Sequence, residues 1–147
     1  MSQLTIFLAK SVLALLLTFF GIRHLTPMDQ QSIISVAGVL STVSGILFGF
    51  VLAAITIFTS ADSSKGLLGA LKKNNVLKGI VSGLINTGAT LIASCIFPLV
   101  AMFFHKSQVV NLPVDFALTL LGLSFLMISI TTFFFSWRNL AMIIPHL

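Results

Sequence analysis

QQSIISVAGVLSTVSGILFGFVLAAITIFTSA, residues 30–61, runs from Asp29 to Asp62 without one charged side chain. A bilayer takes roughly 20 apolar residues of helix to cross, so this stretch is long enough to span one. It is also too long and too apolar for an ordinary soluble core helix. Inside it, Ala37, Ser41, Gly45, Gly49 and Ala53 put a small residue at every fourth position. Helices in lipid gain nothing hydrophobically by meeting, so association rests on close packing, which small residues permit. The stretch therefore predicts a membrane helix built to pack against another helix. Four residues turn a helix by slightly more than one revolution, so the row drifts by about 40° per step and winds right-handed. A GxxxG-type crossing follows such a row. Two partners are open: a second copy, giving a homo-oligomer, or the other helices of the same bundle.

The rest of the 147 residues agrees with a membrane setting. Hydrophobic residues make up 57% and charged residues 7%, with a mean hydropathy of +1.13. A soluble domain carries about 25% charged residues, so this surface is not that of a soluble domain. Four apolar segments stand out, at about 4–22, 32–59, 79–104 and 116–137. Backbone groups inside hydrocarbon must be satisfied within the segment, and no period-two alternation marks a membrane strand, so each segment is expected to be a helix. The expected fold is an all-α integral membrane protein, a single domain over residues 1–147, with four transmembrane helices arranged as two hairpins. The first segment resembles a signal peptide, with Lys10 ahead of an apolar run. It leads into Phe19-Phe20-Gly21-Ile22-Arg23-His24 rather than a small-x-small cleavage site, and so reads as a span. Lys10 is expected to snorkel to the nearer interface.

Charge gives the orientation. Four spans place both termini and the middle loop on one side, which then holds Lys10, Lys65, Lys72, Lys73, Lys78 and Arg138. The other side holds Arg23 and Lys106, together with Asp29 and Asp115. The positive-inside rule then puts the termini and the basic loop, residues 60–78, on the cytoplasmic side. With Gly66 and Gly69 weakening any helix there, that loop reads either as a headgroup-layer helix or as a plain basic loop. Lys65, Lys72, Lys73 and Lys78 form its candidate contact with lipid or an acidic cytoplasmic partner. Eight basic residues spread in this way make no nucleic-acid footprint.

The two outer loops share a pattern: an aromatic pair, a basic residue beside a histidine, then Pro27-Met28-Asp29 or Pro113-Val114-Asp115. Proline suits a first helical turn and a carboxylate suits the positive end of the helix dipole. Thr26 to Asp29 fits a capping box. The pattern follows from a duplicated hairpin or from convergent helix-start chemistry.

Chemistry is sparse. The chain has three aspartates, no glutamate and no tyrosine, and His24, His105 and His146 show no metal-ligand spacing. Hydrolases, metalloenzymes and phosphate-binding loops need groups that are missing here, so neither catalysis nor a cofactor is expected. A lone cysteine, Cys95, reads as small filler in an apolar run. The third segment carries a second four-residue row, Ser82, Asn86, Thr90 and Ser94, ending at Pro98. These groups either line a narrow aqueous path in an oligomer or bond between helices. Pro98 is expected to kink the helix and free the Ser94 carbonyl.

Taken together, residues 40–58, LSTVSGILFGFVLAAITIF, followed by a loop with Lys65, Lys72 and Lys73, resemble the second span and loop of the RexB family. These are small four-helix membrane partners in phage exclusion. The similarity lies in the small and apolar patterning of residues 32–95, which the membrane component of Kiwa systems also has. It implies an inner-membrane protein of anti-phage defence, an oligomeric sensor or effector that depolarises the membrane when a cytoplasmic partner signals infection. Two other functions suit the same residues: an immunity protein that neutralises a membrane-active toxin through lateral helix contacts, and a holin-like lysis protein.

Overall fold

The uncharged run folds as one helix, and Asp29 sets its start. The Asp29 carboxylate accepts hydrogen bonds from the Ser32 amide at 3.3 Å and the Ser32 hydroxyl at 2.6 Å. The Ile33 amide donates to the Asp29 carbonyl at 3.0 Å. Asp29 is thus the N-cap itself, and the helix begins three residues later than a Thr26–Asp29 capping box places it. Asp115 acts differently. It lies inside the first turn of its helix, with Oδ1 accepting from the Phe116 amide at 2.8 Å. The two Pro-x-Asp signals are alike in sequence but not in their helical register.

The computed structural model describes residues 3–60, 76–104, 108–109 and 112–143. They form α1 (Gln3–His24), α2 (Gln30–Ser60), α3 (Val76–Ala101) and α4 (Val114–Ile143), with two-residue strands β1 (Gln108–Val109) and β2 (Leu112–Pro113) ahead of α4. The strands pair antiparallel, Gln108 with Pro113 and Val109 with Leu112, a small hairpin that the apolar pattern did not announce. All four helices are long and apolar enough to cross a membrane. At about 1.5 Å per residue, α2 is about 46 Å long.

Neighbouring helices run antiparallel, and the contacts fix the layers. α3 and α4 form the central pair, α2 packs on α3, and α1 packs on α4. The second expected hairpin is therefore a packed unit, whereas α1 and α2 flank opposite members of the central pair. They come together near the Asp29 end, where Ile22, Ile33, Phe116 and Leu120 share a cluster. A second cluster joins Ala14 to Phe125 and Ile128, with Phe97 stacked on Phe125 at 5.7 Å. The third fills the α2/α3 interface with Leu40, Val51, Leu84 and Leu91, reaching Leu126 of α4.

Candidate functional site

The small-residue ladder of α2 divides. Ala37 and Ser41 are buried in the bundle, while Gly45, Gly49 and Ala53 are exposed. A Cβ added to Gly45 or Gly49 would meet nothing within 4 Å among the described residues. The reason is geometric. α2 meets the bundle along Ile33, Ala37, Leu40, Ser44, Leu47, Val51, Ala54 and Phe58, alternating steps of four and three. That 3.5-residue period is the seam of a shallow left-handed crossing. The ladder advances by four each time, so it crosses the seam at Ala37 and Ser41. It then drifts by about 40° per step onto the outward face.

Where the ladder meets the seam, polar groups join α2 to α3. Ser41 donates through Oγ to the Cys95 carbonyl at 3.1 Å, and the Cys95 thiol lies 3.6 Å from the Ser41 carbonyl. Ser44 and Ser94 hydroxyls are 2.8 Å apart, and Ser94 is also 2.8 Å from the Leu91 carbonyl. With one proton each, Ser44 donates to Ser94 and Ser94 to that carbonyl.

The α3 row is distributed in the same way. Ser82 is half-buried, and Asn86, Thr90 and Ser94 are buried. Ser129 donates to Thr90 at 2.7 Å, and Thr90 donates to the Thr87 carbonyl at 2.9 Å. Successive members of the row thus turn from α4, through Thr90, to α2, through Ser94. Asn86 shares a helical face with Ala93 and Phe97, which pack against the cluster containing Ala14. It is only 6% exposed, and among the described residues neither atom of its amide has a hydrogen-bond partner.

α1 adds two polar links to α4. Thr18 lies 3.2 Å from Ser124, and the half-buried Lys10 ammonium donates to Thr132 at 3.4 Å. Lys10 thus reaches across to α4 at a level about 9 Å, six residues of helix, inside Arg138.

Sequence reading passed over Gly122. A Cβ there would overlap the Pro98 ring, 2.5 Å from Cδ, and come 3.3 Å from the Ser94 carbonyl oxygen. Proline has no N–H for that carbonyl, so the freed oxygen lies against the Gly122 backbone. Ser124, Ser129 and Thr132 on α4 were passed over as well. Their irregular spacing forms no row in sequence, and their role is visible only opposite α1 and α3.

Lys78 is exposed near the start of α3, while Lys65, Lys72 and Lys73 lie outside the described residues. Among the described residues, no three His, Cys, Asp or Glu side chains gather as a metal site. No family model, curated protein or solved structure matches the chain. The site that the geometry offers is therefore made of packing surfaces: a sealed polar interior and an open small-residue face on α2.

Proposed function

We propose that this chain is a small multi-pass protein of the bacterial inner membrane, with both termini cytoplasmic. In this reading it acts in anti-phage exclusion as an oligomeric sensor or effector that perturbs membrane permeability on infection. The observation that carries the reading is the open face of α2, where Gly45, Gly49 and Ala53 are exposed and a Cβ at either glycine would meet none of the described residues within 4 Å. Exposed Leu, Ile and Phe side chains around the bundle are consistent with a hydrocarbon setting. A glycine pair four residues apart on such a surface is suited to close helix–helix approach.

The mechanism follows from what one subunit spends internally. Thr90 and Ser94 hydroxyls bond to Ser129 and Ser44 of the same chain. They act as glue between helices, worth roughly 0.6 to 2 kcal/mol each. Any permeability change then arises at boundaries between subunits, with copies meeting through α2. Lys65, Lys72, Lys73 and Lys78 offer the cytoplasmic face to an acidic protein partner that reports infection, or to anionic lipid. The RexB resemblance supports this role.

A second reading draws on the same bonded interior. A bundle whose hydroxyls are internally paired also suits an immunity protein that meets a membrane-active toxin laterally through Gly45 and Gly49. A voltage-sensitive dye in cells expressing the chain, with and without its neighbouring gene product, separates the two. Depolarisation on phage infection supports the exclusion role. Unchanged potential, with protection against a pore-forming toxin, supports the immunity role and overturns the first.

A further inference from the structure

α2 and α4 both lean on α3 and share less contact with each other, leaving a side opening between them. A cavity of about 310 Å³ fills that opening, and its lining exposes no polar surface. Val51, Leu91 and Ser129 are buried and form its floor, while Phe50, Ile130 and Phe133 are exposed and form its rim. Ser129 contributes no polarity because its hydroxyl is turned to Thr90 and the Phe125 carbonyl. An enclosed apolar cavity of about 150 Å³ takes up hydrocarbon ligands, and this one, about twice that size, is open at its rim.

The surroundings point to one kind of occupant. Ile130, Phe133 and Trp137 are spaced i, i+3, i+7 and share one face of α4, so the rim continues along that face to Trp137. Tryptophan favours the bilayer interface, and Arg138 beside it is exposed. Phe133 is about 7 Å along the helix from Arg138. An apolar cavity along a span, an apolar track leading from it, and an indole and a guanidinium at the track's end match the parts of one phospholipid.

We propose that this cavity holds one acyl chain of a membrane phospholipid whose anionic headgroup rests at Trp137 and Arg138. The inference rests on the membrane-spanning reading of the helices and is independent of the exclusion role.

The test uses the full chain reconstituted with phosphatidylglycerol, extracted into detergent and weighed by native mass spectrometry. Resistance to carbonate extraction checks insertion separately, so failure of the membrane reading is distinguishable from failure of this one. The expected result is one phospholipid retained per wild-type chain. Leu47→Trp fills the cavity from its α2 wall and should lower retention about tenfold, since the acyl chain then loses its close-packed contacts with that wall. Arg138→Gln, at an exposed position that poses no folding risk, should weaken phosphatidylglycerol retention about fivefold, the worth of one basic residue near an anionic surface. An inserted wild type with no retained lipid overturns the proposal. So does retention unchanged in Arg138→Gln, or unchanged in a folded Leu47→Trp. A neighbouring copy's side chain in the cavity would appear as lipid-free oligomers, which also overturns it.

Discussion

Ser41 and Cys95 exchange hydrogen bonds in both directions across the α2/α3 interface, each side chain turned to the other's backbone carbonyl. The pair pins the register of two helices at Ser41, one of the two ladder positions, with Ala37, that are buried against the bundle. Ser41→Ala removes the stronger of the two bonds and should cost about 1 kcal/mol, the middle of the range for interhelical hydroxyl bonds in membranes. Cys95→Ala should cost less, because a thiol is a weak donor. Thermal unfolding in detergent checks both. Equal costs, or none for Ser41→Ala, would contradict the assignment.

The contact between Gly122 and Pro98 makes a sharper demand. Gly122→Ala drives a methyl group into a rigid ring, and overpacking of this kind costs about 1–3 kcal/mol. Gly88→Ala serves as the control, because its Cβ would meet Phe48 at an ordinary 3.4 Å and Val51 at 3.6 Å. That variant should be neutral or stabilising, as alanine is favoured over glycine in a helix by about 1 kcal/mol. Chemical unfolding of the two variants side by side should separate them clearly, and a stable Gly122→Ala would mean the close approach is not there.

Asn86 carries a buried amide without a partner among the described residues. Such a group costs about 1–3 kcal/mol relative to an apolar side chain of similar shape. Asn86→Leu should therefore raise the unfolding midpoint. A lower midpoint would mean that the amide is paired in the folded protein and that its bonds hold the bundle together.

Asp29 links the start of α2 to pH. Its bonds from the Ser32 hydroxyl, and secondarily from the Ser32 amide, hold the exposed carboxyl below the usual carboxylate range. The folded value thus lies below the unfolded value of about 3.9. Its stabilisation is complete above that unfolded value and is lost as the pH falls through the folded one. Unfolding followed from pH 7 to pH 2 should show an acid-side loss that Asp29→Asn reduces. An identical acid slope in the variant would remove Asp29 as its source.

Much of the architecture could be read from the residues because hydrocarbon imposes few choices. The uncharged run 30–61 has to be a helix if it lies in lipid, and α2 covers Gln30–Ser60. Boundaries were less legible. The middle two expected segments fall within a few residues of α2 and α3, but α4 extends to Ile143, past the Arg138-Asn139 pair that ends the apolar run in sequence. The role of the ladder was half legible: spacing identified the small residues, but not where a four-residue row would leave a 3.5-residue seam. Partner choice was hidden for a similar reason. Thr90 and Ser94 are one turn apart, yet one bonds to α4 and the other to α2, and only the placement of three helices around α3 separates them. Gly122 gave no sequence signal because its neighbour, Pro98, is remote in the chain.

Light scattering of the detergent-purified chain, wild type beside Gly49→Leu, tests most directly whether α2 is an assembly surface. A Cβ at Gly49 would meet none of the described residues within 4 Å, so a leucine there should leave the fold intact. The wild type should run as a homo-oligomer and Gly49→Leu as a folded monomer with unchanged helical content. A monomeric wild type, or a Gly49→Leu variant that assembles as the wild type does, would contradict it.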